Sequence, residues 1–217
     1  MTSSVRRMRI GVLEDQPLYR EMLERLLRSV PGFEVVSAGS VHEALSTWRA
    51  AELDVALLDF ELPDGTGLDV GRALQQRNPR LGVVLLSAVD RSLIMLELDQ
   101  HEAERWSYLS KHASISTGTL IRTLHASSEG RSVIDHATVK ARVPRAGGRV
   151  EALSERQREV LALLAEGYTN QSIADRLSLA VNSVNNHVNA LYIALGVNES
   201  SRNPRVSAVR IFLEETR

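Results

Sequence analysis

The run Val55-Ala56-Leu57-Leu58-Asp59 decides the fold of the amino-terminal half of the chain. Four consecutive apolar residues that end on a carboxylate predict a strand buried on both faces, as in a parallel sheet. The turn-rich run Leu62-Pro63-Asp64-Gly65-Thr66-Gly67 comes soon after it. Open α/β folds place their ligand sites at the carboxyl edge of the sheet, so we expect Asp59 to lie in such a site.

Three further predicted strands end on polar side chains that would meet Asp59 at the same edge. These side chains are Glu14 and Asp15 after the first strand, Ser87 after Val83-Val84-Leu85-Leu86, and Lys111 after Tyr108-Leu109-Ser110. Three carboxylates offer the hard oxygen ligands that Mg²⁺ prefers, and a carboxylate beside Mg²⁺ can act as a nucleophile toward phosphorus. A hydroxyl and an ammonium can hold phosphoryl oxygens. Each residue alone could simply end a strand, but the set favours phosphoryl transfer.

The second half of the chain changes from alternating strands and helices to helices alone. The alternation in the first half predicts βα units and a parallel sheet. From Glu151 onward, Ser154 to Gln157 forms a capping-box start, and Leu179-Ala180-Val181 joins two short helical patterns as in a helix-turn-helix. Pro144 and Gly147-Gly148 mark a linker between the two regions, within which Asp135 would cap a short helix over residues 135–141.

Composition excludes several classes of protein. The 217 residues include no cysteine, so the chain has no disulfides, thiolate metal sites or cysteine nucleophiles. No apolar run reaches the roughly 18 residues of a membrane span, and the amino terminus lacks a signal-peptide core, so we expect a cytoplasmic protein with no membrane partner. The net charge of -1 gives no overall nucleic-acid signature.

Residues from about 8 to 126 resemble a response-regulator receiver domain, which accepts a phosphoryl group from a sensor histidine kinase. The resemblance is carried by Glu14-Asp15, Asp59, Ser87 and Lys111, by Pro63 and Gly65 in the loop, and by the aromatic Tyr108. It implies that Asp59 is the phosphoacceptor and that Mg²⁺ is held by Glu14, Asp15, Asp59 and the backbone carbonyl of Glu61. It also implies that Ser87 and Lys111 bind phosphoryl oxygens and that Tyr108 acts as a switch.

The carboxy-terminal helices resemble a LuxR-type helix-turn-helix. The matching segments are Leu153–Leu161, Gly167–Asn170, Ile173-Ala174, Ser183-Val184, His187-Val188 and Leu195–Val197. Together the two halves resemble a NarL/FixJ-type two-component response regulator. The resemblance implies a doubly wound, parallel five-stranded α/β receiver domain over residues 1–127, a linker over 128–150, and an all-α four-helix domain over 151–217. It also implies double-stranded DNA as a partner and a homodimer.

The third helix of the second domain departs from the family pattern. The family places lysine or arginine on this helix and just before it, whereas this chain has neither between Arg176 and Arg202. We expect Asn185, Asn186 and Asn189 to face bases, because asparagine can bond adenine in a bidentate manner. Phosphate contacts would then come from the polar and basic residues Ser183, His187, Arg176 and Arg202.

Three functions remain open from the sequence. In the first, phosphorylation of Asp59 gates dimerisation and DNA binding. In the second, the helical domain binds a partner protein, which the uncharged third helix favours and the intact helix-turn-helix framework disfavours. In the third, DNA binding is controlled independently of phosphorylation, which the complete acidic pocket disfavours. None of the three makes the protein a free-standing enzyme.

Overall fold

The computed structural model describes residues 7–111, 116–197 and 203–217. The chain divides into two compact units, each formed by two segments. The first comprises residues 1–89 and 105–131, and the second comprises residues 90–104 and 132–217. Residues 90–104, which lie between two strands of the sheet in sequence, therefore cluster with the carboxy-terminal helices.

Helices and strands alternate in the first half of the chain. After residue 116 all the elements are helices. In chain order they are β1 (Met8–Leu13), α1 (Pro17–Arg28), β2 (Phe33–Ala38), α2 (Val41–Thr47), β3 (Val55–Asp59), β4 (Glu61–Leu62), β5 (Gly65–Thr66), α3 (Gly67–Arg77), β6 (Gly82–Ser87), α4 (Gln100–Arg105), β7 (Trp106–Ser110), α5 (Thr117–Ser128), α6 (His136–Ala141), α7 (Arg149–Ala152), α8 (Glu155–Ala165), α9 (Asn170–Leu177), α10 (Val181–Ala194) and α11 (Pro204–Glu214). Short 3₁₀ turns lie at Ala50–Glu52 and Ser92–Leu96.

The first unit contains a five-stranded sheet in the order β2-β1-β3-β6-β7. All four strand pairings are parallel, with Leu13 beside Leu58, Asp59 beside Leu86 and Ser87 beside Ser110. The predicted parallel five-stranded fold is confirmed. Because all five strands run in the same direction, the polar residues that end them are delivered to one edge.

An apolar cluster packs α1 and α5 against one face of the sheet. All five residues of β3 are buried, as the apolar run predicted. The cluster combines alternate residues of the strands with residues one helical turn apart, because strand side chains alternate between faces while helix neighbours recur every three to four residues. Its members are Ile10, Val12, Leu23, Leu27, Val55, Leu57, Val84, Leu86, Leu109, Leu120 and Leu124.

Trp106 supports the opposite face of the sheet from the start of β7. Its side chain is fully buried, and its indole N–H donates to Oε1 of Gln75 at 2.7 Å. Gly71 on α3 leaves room for the ring, since a Cβ there would lie 2.6 Å from it. The aromatic residue is thus a core element that ties α3 to the sheet.

The second unit is built from capped helices, as the sequence predicted. Asp135 caps α6, Ser154 and Gln157 form the capping box of α8, and Thr169 caps α9. Four of its helices, α8 to α11, are those predicted, while α7 adds one further short turn before them. Ser178 adopts the left-handed conformation that ends α9 and directs the chain into α10.

Residues 90–104 are held within the second unit by two arginines. The Arg210 guanidinium on α11 donates to the carbonyl oxygens of Leu96 at 3.0 Å and Leu98 at 2.7 Å. The Arg142 guanidinium donates to the buried hydroxyl of Ser92 at 2.6 Å. These bonds satisfy two backbone carbonyls and one buried hydroxyl of the segment.

Within the described part of the chain, no helix is both long and apolar enough to cross a membrane.

Substitution of Gly67 by alanine is expected to disturb the carboxyl edge of the sheet, because Gly67 packs directly against the backbone of Asp59. A Cβ at Gly67 would lie 2.1 Å from the carbonyl oxygen of Asp59, so the backbone that carries this carboxylate must move. We expect a loss of about 2–3 kcal/mol in the free energy of unfolding, measured by urea denaturation. Gly118→Ala is the matched control, because its Cβ would meet only the Ser116 hydroxyl at 3.9 Å. That change in α5 should be neutral or stabilising by up to about 1 kcal/mol. Equal changes in the free energy of unfolding for Gly67→Ala and Gly118→Ala would contradict the close contact between Gly67 and the Asp59 carbonyl.

Candidate functional site

Three carboxylates meet at the carboxyl edge of the sheet. Glu14 and Asp15 follow β1 and Asp59 ends β3, and these two strands are hydrogen-bonded neighbours. One carboxylate oxygen from each of the three lies within 4.8 Å of the others. Glu14 is fully buried and Asp59 is 5% exposed, so their charges are poorly solvated. The structure thus brings together the acids that the sequence placed at separate strand ends.

Lys111 supplies the positive charge opposite these acids. Its ammonium Nζ lies 2.8 Å from Oε2 of Glu14 and 2.8 Å from Oδ2 of Asp59. Its backbone N–H donates to the carbonyl of Ser87 at 2.7 Å, which fixes the lysine to the end of β6. The Lys111 ammonium is thus shared between two of the three acids of the pocket.

Two residues at the start of α1 complete the pocket, and the sequence patterns assigned neither of them to it. The Arg20 guanidinium donates to the carbonyl oxygen of Glu14 at 2.5 Å and so holds the loop after β1. The Tyr19 ring lies under Lys111, with Nζ 5.0 Å from the ring centroid. Both lie in the first turn of α1, four to six residues after the acidic pair.

The electrostatics of the pocket shift three protonation equilibria. Burial raises the pKa of Glu14, the nearby charge of Asp59 adds to this, and the Lys111 bond opposes it. Burial opposes the charge of Lys111, but hydrogen bonds to Asp59 and Glu14 outweigh it and raise the lysine pKa. Burial also raises the pKa of the Tyr19 hydroxyl. The pocket therefore favours the protonated forms of both Lys111 and Tyr19.

Ser87 and Tyr108 both bind one backbone carbonyl beside the pocket. The Ser87 hydroxyl donates to the carbonyl oxygen of Val89 at 2.7 Å and accepts from the Val89 N–H at 3.2 Å. The Tyr108 hydroxyl donates to the same carbonyl at 2.8 Å, and its ring is fully buried. The serine therefore turns toward the loop after β6, and the aromatic ring already lies inside the domain.

The donor set fits Mg²⁺. The three carboxylate oxygens within 4.8 Å of one another are hard ligands at a spacing that one small cation can span. Burial raises the pKa of Glu14 and the charge of Asp59 adds to this, so a cation bound beside these acids would favour the ionised form of Glu14. Glu61 lies in β4 immediately beyond β3, and the role of its carbonyl as a further ligand stays a prediction.

Substitution of Glu14 by glutamine should weaken Mg²⁺ binding without lowering the stability of the metal-free protein. The raised pKa means that the folded protein binds this proton more tightly than the unfolded chain, whose value is near 4.5. The wild-type stability should therefore fall as pH rises from about 4.5 through the raised pKa, and the variant should lack this fall.

Without Mg²⁺ at neutral pH, we expect Glu14→Gln to be at least as stable as the wild type in urea denaturation. Mg²⁺ at about 100 times its Kd should stabilise the wild type by about 2.7 kcal/mol, and the variant by much less. Glu21→Gln on the exposed face of α1 is the control and should respond to Mg²⁺ as the wild type does. Equal Mg²⁺ stabilisation of Glu14→Gln would show that the ion does not bind between these acids.

The exposed face of α10 carries a row of asparagines. Asn182, Asn186 and Asn189 are exposed and recur at helical spacing, and the row ends at Ile193, which is 79% exposed. On the opposite face Val184, Val188 and Leu191 are buried against the unit. Asn186 and Asn189 thus share this exposed face with Asn182, and their contact with bases stays a prediction.

Asn185 differs from its two neighbours because part of its amide is already used. The Asn170 side chain on α9 donates to Oδ1 of Asn185 at 2.8 Å. A bidentate contact to adenine needs both the carbonyl oxygen and the amino group of the asparagine. Asn185 can therefore present only its amino group while this bond holds.

The polar and basic residues near α10 differ in their exposure and in the protein groups that they already bind. Ser183 and His187 are half-buried on α10. The Arg176 guanidinium stacks over the Tyr168 ring at 4.2 Å from its centroid and also binds the tyrosine hydroxyl. Arg205 donates to the carbonyl oxygens of Leu164 at 2.9 Å and Tyr168 at 2.6 Å, so it closes helix ends within the domain. Arg202 lies outside the described residues.

Two family models match the chain. Residues 10–122 match the response regulator receiver domain, and residues 151–204 match the bacterial regulatory proteins of the luxR family. These matches cover the two regions that contain the acidic pocket and the asparagine-bearing α10.

Similar proteins share this organisation over nearly the whole chain. The DNA-binding transcriptional activator DevR/DosR of Mycobacterium tuberculosis is 35% identical over 196 residues, covering 87% of this chain and 88% of that protein. The nitrate/nitrite response regulator protein NarP of Escherichia coli is 29% identical over 212 residues, covering 95% and 94%. The structure of the response regulator RcsB in complex with DNA shares the fold, with a TM-score of 0.52, 18% identity, and coverage of 96% of this chain and 98% of that one. The chain therefore belongs to the NarL/FixJ-type response regulators, transcriptional regulators in which a receiver domain is followed by a LuxR-type DNA-binding domain.

Proposed function

We propose that a sensor histidine kinase phosphorylates this regulator on Asp59, and that this controls how its LuxR-type domain binds specific sequences in double-stranded DNA. The observation that supports this most strongly is the convergence of Glu14, Asp15, Asp59 and Lys111 at one sheet edge. The experiment that tests it is phosphorylation by a small phosphodonor, followed by DNA binding of the modified protein. We propose that the protein acts in the cytoplasm, where relatives of this family meet their DNA.

In the proposed reaction, a carboxylate oxygen of Asp59 attacks the phosphorus of the donor, and the donor's bond to phosphorus breaks. Lys111 already lies 2.8 Å from Asp59, so its ammonium is in place to bind a phosphoryl oxygen as negative charge moves onto the residue. Mg²⁺ bound by Glu14, Asp15, Asp59 and the Glu61 carbonyl would supply further positive charge for the phosphoryl group. Beyond uptake and hydrolysis of its own phosphoryl group, we propose no enzymatic activity.

We propose that Ser87 couples the phosphoryl group to the loop after β6. In the structure its hydroxyl is occupied by the backbone of Val89 on both the donor and the acceptor side. A phosphoryl oxygen on Asp59 would compete for this hydroxyl, and the Val89 backbone would then lose one partner while keeping the Tyr108 hydroxyl. The switch would therefore change the loop after β6 rather than move Tyr108 inward, since Tyr108 is already buried.

DNA recognition in this proposal rests on α10 in the major groove, as in other helix-turn-helix proteins. Its exposed asparagines offer paired donors and acceptors for adenine edges. The helix carries no lysine or arginine, so it adds little of the phosphate attraction that dominates non-specific affinity. Two domains acting together on a two-fold site would supply the missing affinity through high effective concentration.

A homodimer of the receiver would bring the two DNA-binding domains together. We propose pairing through α1 and α5, where the α1 side chains Leu18 and Met22 remain 82% and 50% exposed. Large apolar side chains on one helical stripe, flanked by the charged Glu21 and Arg25, are typical of protein interfaces.

A partner protein bound by α10 is the second candidate function. The uncharged helix and its exposed Ile193 favour it, because an apolar side chain in a polar row suits a protein surface. Random-sequence selection distinguishes the two functions, since only a DNA reader enriches a defined sequence.

A further inference from the structure

Lys111 is held by contacts on three sides, and only two of them are acids. Its ammonium binds the carboxylates of Glu14 and Asp59 at 2.8 Å each. On the third side the Tyr19 ring faces the ammonium, with Nζ 5.0 Å from the ring centroid. A cation within about 6 Å of an aromatic centroid is attracted by the negative face of the ring.

Tyr19 is itself rigidly placed. It is the third residue of α1, which begins at Pro17, and its side chain packs against the apolar cluster that joins α1 and α5 to the sheet. The next residue, Arg20, binds the carbonyl oxygen of Glu14, so this turn of α1 is fixed to the loop that carries the acidic pair. The ring is therefore part of the wall of the pocket.

A lysine needs such a wall because its four-carbon side chain has many rotamers. The backbone of Lys111 is fixed by the bond to the Ser87 carbonyl, but that bond leaves the ammonium free to move. When a phosphoryl group or a cation draws Glu14 and Asp59 into other contacts, the ring face remains as a contact of the ammonium.

We propose that Tyr19 is a positioning residue for phosphoryl transfer, whose ring face holds the Lys111 ammonium beside Asp59. The inference rests on the proposed role of Asp59 as phosphoacceptor. In this proposal the face of the aromatic ring, and not the hydroxyl, holds the ammonium. Phenylalanine at position 19 should therefore preserve the function of tyrosine, and an aliphatic residue should not.

The sequence allows a direct spectroscopic test, because Lys111 and Lys140 are its only lysines. In full-length protein labelled with ¹³C-lysine, the wild type should show one lysine with Cε protons shifted upfield by the Tyr19 ring. Lys140→Arg identifies that signal as Lys111. Tyr19→Phe should keep the upfield shift, and Tyr19→Leu should lose it. Tyr19→Met is a second ring-free variant in case Tyr19→Leu does not fold.

The functional arm measures the rate of phosphorylation by acetyl phosphate through intact mass. Tyr19→Leu and Tyr19→Met should react about three- to tenfold more slowly, and Tyr19→Phe should stay within about twofold of the wild type. An unshifted Lys111 signal in the wild type, or an unchanged rate in the ring-free variants, would overturn the proposal. A wild type that shows the shift but accepts no phosphate would refute the role of Asp59, and with it the functional claim for Tyr19, while leaving the ring contact demonstrated.

Discussion

Asp59→Asn is expected to abolish phosphorylation of this protein altogether. The wild type incubated with acetyl phosphate and Mg²⁺ should gain the mass of one phosphate, and the variant should gain none. The reason is that an amide lacks the nucleophilic oxygen, while the rest of the pocket keeps its shape around an isosteric side chain. Asp59 is also the acid in the pocket that β3 places beside both Glu14 and Lys111.

Asp64→Asn is the matched control for this experiment. Asp64 is an exposed acid in the loop beyond β3, and its carboxylate accepts bonds from the backbone N–H groups of Val41 and His42 at 3.0 Å. These bonds lower the pKa of Asp64, which makes it a well-ionised carboxylate with no lysine partner in the described structure. The control should accept one phosphate as the wild type does. If Asp59→Asn gained as much phosphate as the wild type, another residue would have to be the phosphoacceptor.

Replacing Asn186 and Asn189 together by alanine should relax sequence preference more than it lowers total DNA binding. Both side chains are exposed on α10 and free to present a carbonyl oxygen and an amino group. Each good bidentate contact discriminates by about 1–3 kcal/mol, or roughly 5- to 150-fold, against the wrong base. Binding should be measured on a selected sequence and on scrambled DNA, at several salt concentrations.

Asn185→Ala provides the comparison, because the Asn185 oxygen is already bonded to Asn170. We expect a smaller loss of discrimination than in the double variant. The salt dependence should be shallow in all these proteins, since each neutralised phosphate contributes a slope of about -0.9 and α10 carries no basic residue. If the double variant keeps full preference, or if the wild type selects no sequence, the partner-protein function is the better one.

The sequence predicted the sheet edge because the relevant information is local to each strand. An apolar run that ends on a polar residue specifies both a buried strand and the side chain at its end. Parallel pairing then brings Glu14, Asp59 and Lys111 together without further information. The caps of the carboxy-terminal helices were predictable for the same reason, since Asp135, Ser154 and Thr169 bond to a backbone N–H only three residues away.

The features that the sequence did not predict depend on contacts between separate elements. Tyr19 reaches Lys111, which is distant in sequence, only because α1 packs against the sheet beside β1. The bond between Asn170 and Asn185 depends on how α9 crosses α10, and it removes one of three expected base readers from bidentate use. Arg205 binds the carbonyls of Leu164 and Tyr168, and this contact depends on how α11 packs beside the end of α8.

The clustering of residues 90–104 with the carboxy-terminal helices is a further long-range feature. The contact includes Arg210 and Arg142, which donate hydrogen bonds to backbone carbonyl and hydroxyl oxygens. Such bonds leave no signature in charge pattern or periodicity, so they become visible only in the structure.

The most direct test of the account is the affinity of the full-length protein for its selected DNA sequence, measured with and without acetyl phosphate and Mg²⁺. The wild type should bind more tightly once Asp59 is phosphorylated, and Asp59→Asn should show the same affinity in both conditions. The same DNA affinity for fully phosphorylated and unmodified wild type would contradict the account, because the receiver pocket would then have no influence on the DNA-binding domain.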